Sequence, residues 1–328
     1  MNVLITGVAG FIGSHIAERC IAAGHVVFGI DNFDPYYDPA RKRLNIRSVD
    51  SHTAFRFIEG DIQDPEDVAH VFRAAESQDR SIDVVIHFAA KAGVRPSIED
   101  PVSYTRVNVL GTVNVLEAMV AANTRNLVFA SSSSVYGNTQ AVPFREDAFV
   151  DHPVSPYAAT KKSCELMAHS YAHIHRLRIA ALRLFTVYGP RQRPDLAITK
   201  FSNLIEQDQP LPIYGDGSTT RDYTYIDDIV DGVMASTEWL LRQSESTYSV
   251  FNLGGRKQTR LEDLVSALEH AWNKSAKIDR HPMQPGDVNH TYADVSKANR
   301  AFGYQPKVSI EEGLKRFVEW AKAHKEYK

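Results

Sequence analysis

The chain has 328 residues, 43% of them hydrophobic, and its 37 Lys and Arg against 40 Asp and Glu give a net charge of −3. That composition excludes intrinsic disorder, and the balanced charge argues against a nucleic-acid binder. Two widely separated cysteines, Cys20 and Cys164, make neither a disulfide framework nor a metal knuckle, and no apolar run approaches the ~20 residues of a membrane span. Met1 abuts a strand pattern, so the expectation is a cytoplasmic protein with no signal peptide and no membrane segment.

In chain order, a buried strand is predicted at 3–5, a helix over 14–23 and a strand at 26–30. The apolar-strand signature recurs at 55–58, 83–88 and 126–131, with helices over 65–76 and 102–123 between. Val, Ile and Leu runs this continuous belong to strands covered on both faces. Their alternation with helices predicts an α/β fold, a Rossmann-type doubly wound parallel sheet. A helix opening near Tyr157 leads to a further strand at 179–184. Past Tyr188-Gly189-Pro190 the texture changes, and Pro194, Pro210, Pro212, Gly215 and Gly217 cut the chain into short elements, as substrate-binding loops do. A helix over 224–239 and a strand at 250–253 predict a return to the large sheet, and amphipathic helices follow at 261–272 and 310–324. The expected division is a dinucleotide-binding domain over 1–186, rejoined by 222–256, and a smaller mixed α/β substrate-binding domain over 187–221 and 257–328.

Between the first strand and first helix lies Gly7-x-x-Gly10-x-x-Gly13. Glycine there permits a tight turn and close approach of a pyrophosphate to the backbone, and the helix N-terminus supplies amide donors. A glycine triplet can also merely pack a helix on a strand. Asp31, 18 residues after Gly13 at the end of the second strand, makes the dinucleotide reading the stronger one. An acid at that place bonds the adenosine ribose and repels a 2′-phosphate, which selects NAD over NADP. Arg41, Lys42 and Arg43 could serve a 2′-phosphate; a solvated helix face is the plainer account of them. Asp61 after the third strand and Ala89 after the fourth sit at successive strand ends, where ligands of such sheets bind.

Tyr157 and Lys161 stand four apart after Pro156, one helical turn apart on one face. An ammonium beside a phenol favours the phenolate, which makes a general base of a normally inert side chain. Ser131 through Ser134, ending the preceding strand, supply a hydroxyl partner. His169 and His173 are one turn apart but lack a third ligand, so no metal is expected. Asp227 and Asp228 point about 100° apart on a helix, which suits helix N-terminal charge stabilisation rather than a carboxylate dyad.

The glycine turn, the serine run before Val135-Tyr136-Gly137, and Tyr157-x-x-x-Lys161 together resemble the extended short-chain dehydrogenase/reductases that modify nucleotide sugars. The resemblance covers essentially the whole chain. The segments from Ala92 to Ser97 and from Phe185 to Asp195 look most like the UDP-glucuronate 4-epimerases. It implies Tyr157 as base, Lys161 as supporting ammonium and Ser132 as active-site hydroxyl. It implies NAD contacts at Gly7, Gly10, Phe11, Ile12 and Gly13, at Asp31, Asn32, Asp61 and Ile62, and at Phe88, Ala89, Ala90, Lys91 and Phe185, besides Tyr157 and Lys161. For the UDP-sugar it implies Gly93, Val94 and Arg95, Ser132 through Ser134, Tyr157, Tyr214 and Arg221, the last gripping the pyrophosphate, with Thr186 and Arg193 on the sugar carboxylate. Ser133 and Ser134 stand where related 4,6-dehydratases carry Asp-Glu, and Ser134 where decarboxylases usually carry Glu. Gln284 stands where a second pyrophosphate arginine is often found, and Lys91 where relatives often have Gln. Asn108 matches an asparagine that props the active-site helix; read locally, it is equally a helix-interior polar residue.

The resemblance implies reversible C4 epimerisation of UDP-glucuronate through a transient 4-keto sugar. A neutral UDP-hexose 4-epimerase, a UDP-glucuronate decarboxylase and a catalytically idle NAD-sensing module are the competing readings, and an intact Ser132, Tyr157 and Lys161 argue against idleness. The helices over 102–123 and 157–177 carry more apolar surface than one sheet requires, and relatives pair them, so a homodimer is expected.

Overall fold

The computed structural model describes residues 1–139, 141–255, 257–282 and 290–327; Gln284 lies outside them. The chain begins with β1 (Asn2–Thr6), α1 (Phe11–Ala22), β2 (Val26–Asp31), α2 (Pro39–Asp50), β3 (Phe55–Glu59) and α3 (Pro65–Glu76). After β4 (Val84–His87) come α4 (Val94–Glu99), α5 (Pro101–Tyr104), a π-helical turn over Thr105–Leu110, α6 (Gly111–Ala121) and β5 (Asn126–Ser132). Next are α7 (Pro156–His175), β6 (Arg178–Leu184), β7 (Thr186–Tyr188), α8 (Ala197–Glu206), β8 (Pro210–Tyr214) and β9 (Thr220–Tyr225). The remainder is α9 (Ile226–Leu241), β10 (Thr247–Leu253), β11 (Gln258–Arg260), α10 (Leu261–Trp272), β12 (Lys277–His281), α11 (Ser296–Phe302) and α12 (Ile310–Ala323).

Seven strands form one parallel sheet in the order β10-β6-β5-β4-β1-β2-β3. Its strands are apolar on both faces because both faces are covered. Val3 and Ile5 point into the layer that holds α1 and α9, while Leu4 between them points into the layer of α3, α6 and α7. The same alternation separates Val84 and Ile86 from Val85, and Ala180 and Leu182 from Ile179 and Ala181. Helices start where the sequence offers a cap followed by proline. Asp38 accepts from Ala40 N before Pro39, Asp64 from Glu66 N before Pro65, and Ser155 from Ala158 N before Pro156.

Strand order reverses between β1 and β4, the place where open α/β sheets bind ligands. β7 pairs with β9 and β9 with β11 in a small mixed sheet, and β8 pairs with β12 in a two-stranded parallel one. Several predicted helix bounds shift by one to three residues, the helix expected from 14 starting at Phe11, and two differences have a clear physical reason. The one expected from 224 starts at Ile226, because Thr224 and Tyr225 are held in β9 against Val187 and Tyr188. The one expected over 102–123 is broken by the π-turn, a feature that tends to mark functional sites and here contains Asn108.

Candidate active site

At the β1/β4 reversal a cavity of about 390 Å³ opens over the strand ends. Its floor is the glycine turn. Gly7 adopts φ +70°, and a Cβ there would lie 2.7 Å from Ala89 N. A Cβ on Gly13 would fall 2.1 Å from Gly7 O, so helix α1 can meet the turn only without a side chain. This backbone cradle fits a dinucleotide pyrophosphate. Phe11 and Ile12 line the cavity beside it.

Asp31 ends β2 and is buried; its Oδ2 accepts from Ala9 N at 3.0 Å and its Oδ1 from Phe33 N at 2.9 Å. The expected ribose acceptor therefore also braces the glycine turn. Burial pushes its carboxyl up, opposed by the nearby Lys42 ammonium and the two backbone donors. Lys42 overturns its plain reading: it is 8% exposed and lines the cavity, whereas Arg43 is exposed over the Phe33 ring and near Glu59. Alternation along α2 explains the split, since Lys42 lies on the face shared with buried Asn45, Ile46 and Val49. Burial lowers the Lys42 pKa against the pull of Asp31. Asn32 donates to Asp61 Oδ2 at 2.9 Å, and both line the cavity with Ile62. Asn114 of α6 fixes that loop by donating to the carbonyls of Ile62 and Gln63, both at 2.9 Å.

Phe88, Ala89, Ala90, Lys91 and Gly93 form the β4 side of the wall. Asn108 holds it: its amide accepts from Lys91 N at 2.8 Å, and donates to Lys91 O and to Thr160 Oγ1, each at 3.0 Å. A buried asparagine thus ties the wall to the helix that carries Tyr157 and Lys161, which decides between its two readings. Behind it, His87 spans Thr6 Oγ1 at 2.6 Å and Thr112 Oγ1 at 3.0 Å. Since Thr112 donates its own proton to Asn108 O, His87 Nε2 is the donor to Thr112 and Nδ1 the acceptor from Thr6. Burial, helped by Lys161, lowers its pKa to about 3, so the ring is neutral.

Tyr157 and Lys161 sit in the first turns of α7, opposite Ser132, Ser133 and Ser134 at the end of β5, and all five line the cavity. Lys161 Nζ donates to Ala130 O at 2.8 Å, Ser132 Oγ donates to Ser134 Oγ at 3.1 Å, and Tyr104 packs edge-on against the Tyr157 ring. A buried ion pair anchors the same helix further along: Arg183 Nε and Nη2 donate to Glu165 at 2.8 and 2.9 Å, and Ser131 Oγ adds a third bond at 2.6 Å.

Phe185, Thr186 and Arg193 close the far end. The β7–α8 loop carrying Arg193 is fastened by Arg191, which takes φ +66° and sends its guanidinium to Ser14 Oγ and Asn45 O, both at 3.1 Å, and to Glu18 at 2.6 Å. Arg193 donates from Nε to Asp195 Oδ1 at 3.0 Å and from Nη2 to Asp195 Oδ2 at 2.7 Å. Burial opposes its charge, but Asp195 outweighs that and raises its pKa above the ordinary value. Tyr36 from the β2–α2 loop lies under the guanidinium and donates to Asp195 Oδ2 at 3.3 Å.

Four expected sugar contacts are not on this wall. Arg95 stacks over the Tyr214 ring at 5.7 Å, Val94 begins α4, and Arg221 lies on β9, donating to Thr220 O at 3.0 Å. Tyr36 and Lys42, which line the cavity, and Asp195, which holds Arg193 from behind the wall, were not singled out from the sequence, because each lies in a loop or helix whose sequence reads as solvated. Asp227 and Asp228 stand in the first turn of α9, as expected, and Asp228 has a further role: it is buried and accepts from Lys307 N at 2.8 Å and Val308 N at 3.0 Å, pinning the segment before α12.

The family model described as GDP-mannose 4,6 dehydratase matches residues 4–317. UDP-glucuronate 4-epimerase of Thermodesulfobacterium geofontis is 42% identical over 320 residues, 97% of this chain and 95% of its own. UDP-glucuronic acid 4-epimerase from Bacillus cereus, solved with UDP-glucuronic acid and NAD, superposes with a TM-score of 0.90 at 37% identity, covering 98% of this chain and 99% of that one. UDP-glucose 4-epimerase of Thermotoga maritima, solved with UDP-glucose, gives 0.88 at 30% identity, with the same coverage of both chains. This chain belongs to the extended short-chain dehydrogenase/reductase family, among its nucleotide-sugar epimerases and dehydratases.

Proposed function

We propose that the protein is an NAD-dependent epimerase that inverts C4 of UDP-glucuronate to give UDP-galacturonate, reversibly. The observation that carries this reading is a single cavity that combines the dinucleotide cradle, the Ser132, Tyr157 and Lys161 set, and a guanidinium at its sugar end. The 42% identity to a full-length UDP-glucuronate 4-epimerase supports it.

NAD would be held by Gly7, Gly10 and Gly13 under its pyrophosphate and by Asp31 at the ribose, and would supply reversible hydride chemistry at C4 with no net oxidant consumed. Tyr157 takes the C4 hydroxyl proton and later gives it back, with the Lys161 ammonium in the same cavity and Ser132 bonding the same oxygen. The 4-keto sugar so formed, bearing its C6 carboxylate, is a β-keto acid, which loses CO₂ when the C–COO⁻ bond aligns with the carbonyl π system. Arg193 and Thr186 hold that carboxylate out of alignment, where a forked, charge-assisted contact fixes geometry as well as charge. Ser133 and Ser134 bring no acid to the sugar, which suits epimerisation over dehydration or decarboxylation. Gly93, Val94, Arg95, Tyr214 and Arg221 are assigned to the rest of the nucleotide sugar. Residues 1–186 with 222–256 are read as the NAD-binding domain, and the others as the sugar-binding one.

Val102, Leu110, Leu166 and Ile174 are exposed apolar side chains on the helical layer that contains α5 to α7. They support a homodimer, and a monomer mass by light scattering at micromolar concentration would exclude it. Among the described residues no helix is long and apolar enough to cross a membrane, and both cysteines are buried free thiols; a cytoplasmic location is the reading that fits.

The direct test is incubation with UDP-glucuronate and, separately, UDP-glucose, followed by chromatography. The expected product is UDP-galacturonate without stoichiometric NADH. Turnover of UDP-glucose in preference would transfer the protein to the neutral-hexose epimerases, and a UDP-pentose with CO₂ would make it a decarboxylase.

A further inference from the structure

The Arg193 guanidinium has two hydrogen-bonding edges. The side edge, formed by Nε and Nη2, is filled by the Asp195 carboxylate at 3.0 and 2.7 Å. No described residue hydrogen-bonds Nη1, so the end edge, formed by Nη1 and the second Nη2 hydrogen, is uncommitted, on a side chain that is 16% exposed and lines the cavity. Asp195 itself is not part of the cavity wall, and Tyr36 fixes it from the opposite loop through its hydroxyl while its ring lies 5.2 Å below the guanidinium carbon. A guanidinium is planar and can fork to one carboxylate on each edge.

We propose that Asp195 is a positioning residue for substrate specificity: with Tyr36 it locks the side edge of Arg193 so that the end edge is presented to the sugar carboxylate. The inference rests on the reading of Arg193 as the carboxylate contact. A free arginine side chain samples many rotamers, and ordering it on binding would cost affinity; here the ordering is already done. The three residues come from the β2–α2 and β7–α8 loops, so the carboxylate end of the cavity is set by contact between the two sides of the crevice rather than by either loop alone.

The test is steady-state kinetics of Asp195→Asn with UDP-glucuronate and with UDP-glucose, run beside Arg193→Ala. Asn keeps the size of the side chain but cannot accept on both oxygens. The KM for UDP-glucuronate should rise about tenfold, the scale of one lost charge-assisted contact, with kcat little changed and the UDP-glucose parameters unmoved. Tyr36→Phe, which keeps the ring and removes the hydroxyl, should move the same KM in the same direction by a smaller factor, about threefold. A fall in KM for Asp195→Asn would mean that Asp195 competes with the substrate for Arg193, and would overturn the proposal. An unchanged KM, or an equal rise for both sugars, would overturn it too. Arg193→Ala separates the two levels. If it leaves UDP-glucuronate recognition intact, the carboxylate reading itself fails; if it destroys that recognition while Asp195→Asn does not, only the positioning role fails.

Discussion

Where the NAD pyrophosphate is proposed to lie the cavity floor is backbone, and at the proposed sugar end the wall is side chain. Gly7 and Gly13 let the glycine turn close by having no Cβ, since Ala89 N is 2.7 Å from where a Gly7 Cβ would sit and Gly7 O 2.1 Å from a Gly13 one. Arg193, Asp195 and Tyr36 instead assemble a charged contact from two loops far apart in sequence. A backbone cradle tolerates almost no change and serves any ligand with the same pyrophosphate. A side-chain clamp can be retuned by one substitution, so discrimination among sugars belongs at that end.

The chemistry lies between the two, and its loss should be the largest effect. Tyr157→Phe keeps the ring and removes the ionisable oxygen, so kcat should fall 10²–10⁴-fold, about 3–5 kcal/mol, while calorimetry finds UDP-glucuronate binding largely intact. Turnover near wild type would mean that another group takes the proton and that the reacting centre lies elsewhere.

The support beneath the cofactor end should show in acid. His87 is buried neutral, its pKa lowered to about 3 from the ordinary 6.5. Between those values the unfolded chain binds a proton that the folded chain refuses, so stability is lost as pH falls from about 6.5 toward 3. Each pH unit in that window is worth roughly 1.4 kcal/mol, so this one group should cost about 3–5 kcal/mol by the acid end. His87→Gln removes the titration, and denaturant melts at several pH values should find the wild-type advantage shrinking steadily in acid. An advantage that is constant with pH would remove His87 as the source.

Gly13→Ala addresses the backbone end alone. Its Cβ has no place beside Gly7 O, so the turn must shift, and NAD affinity should fall by about 1–3 kcal/mol with little change in sugar specificity. Intact NAD affinity with altered sugar preference would reverse the assignment of the two ends.

The same contrast explains what could be read from the sequence. The sheet was legible because consecutive residues such as Val3, Leu4 and Ile5 are all apolar, which only a strand covered on both faces requires. The glycine turn, Tyr157 and Lys161 could be singled out as candidates because the chemistry proposed for them needs fixed local spacing, and the structure brings them to one cavity. Lys42 was not, because three consecutive basic residues carry no mark of which one turns inward; the apolar face of α2 decided it. Asp195 and Tyr36 were not, because their meaning lies in a contact 159 residues long in sequence. The π-turn at Thr105–Leu110 was hidden in a segment with ordinary helical composition, and only the bonds of Asn108 to Lys91 and Thr160 give its purpose.

The central claim, that C4 is inverted by transient oxidation within this one cavity, is tested most directly with UDP-glucuronate carrying deuterium at C4. The reaction is followed by mass spectrometry and proton NMR in ordinary water. Retention of essentially all the deuterium at C4 of UDP-galacturonate is predicted, because the hydride that leaves C4 is returned to the opposite face of the same molecule. Loss of the label to solvent, or its accumulation in free NADH, would contradict the account.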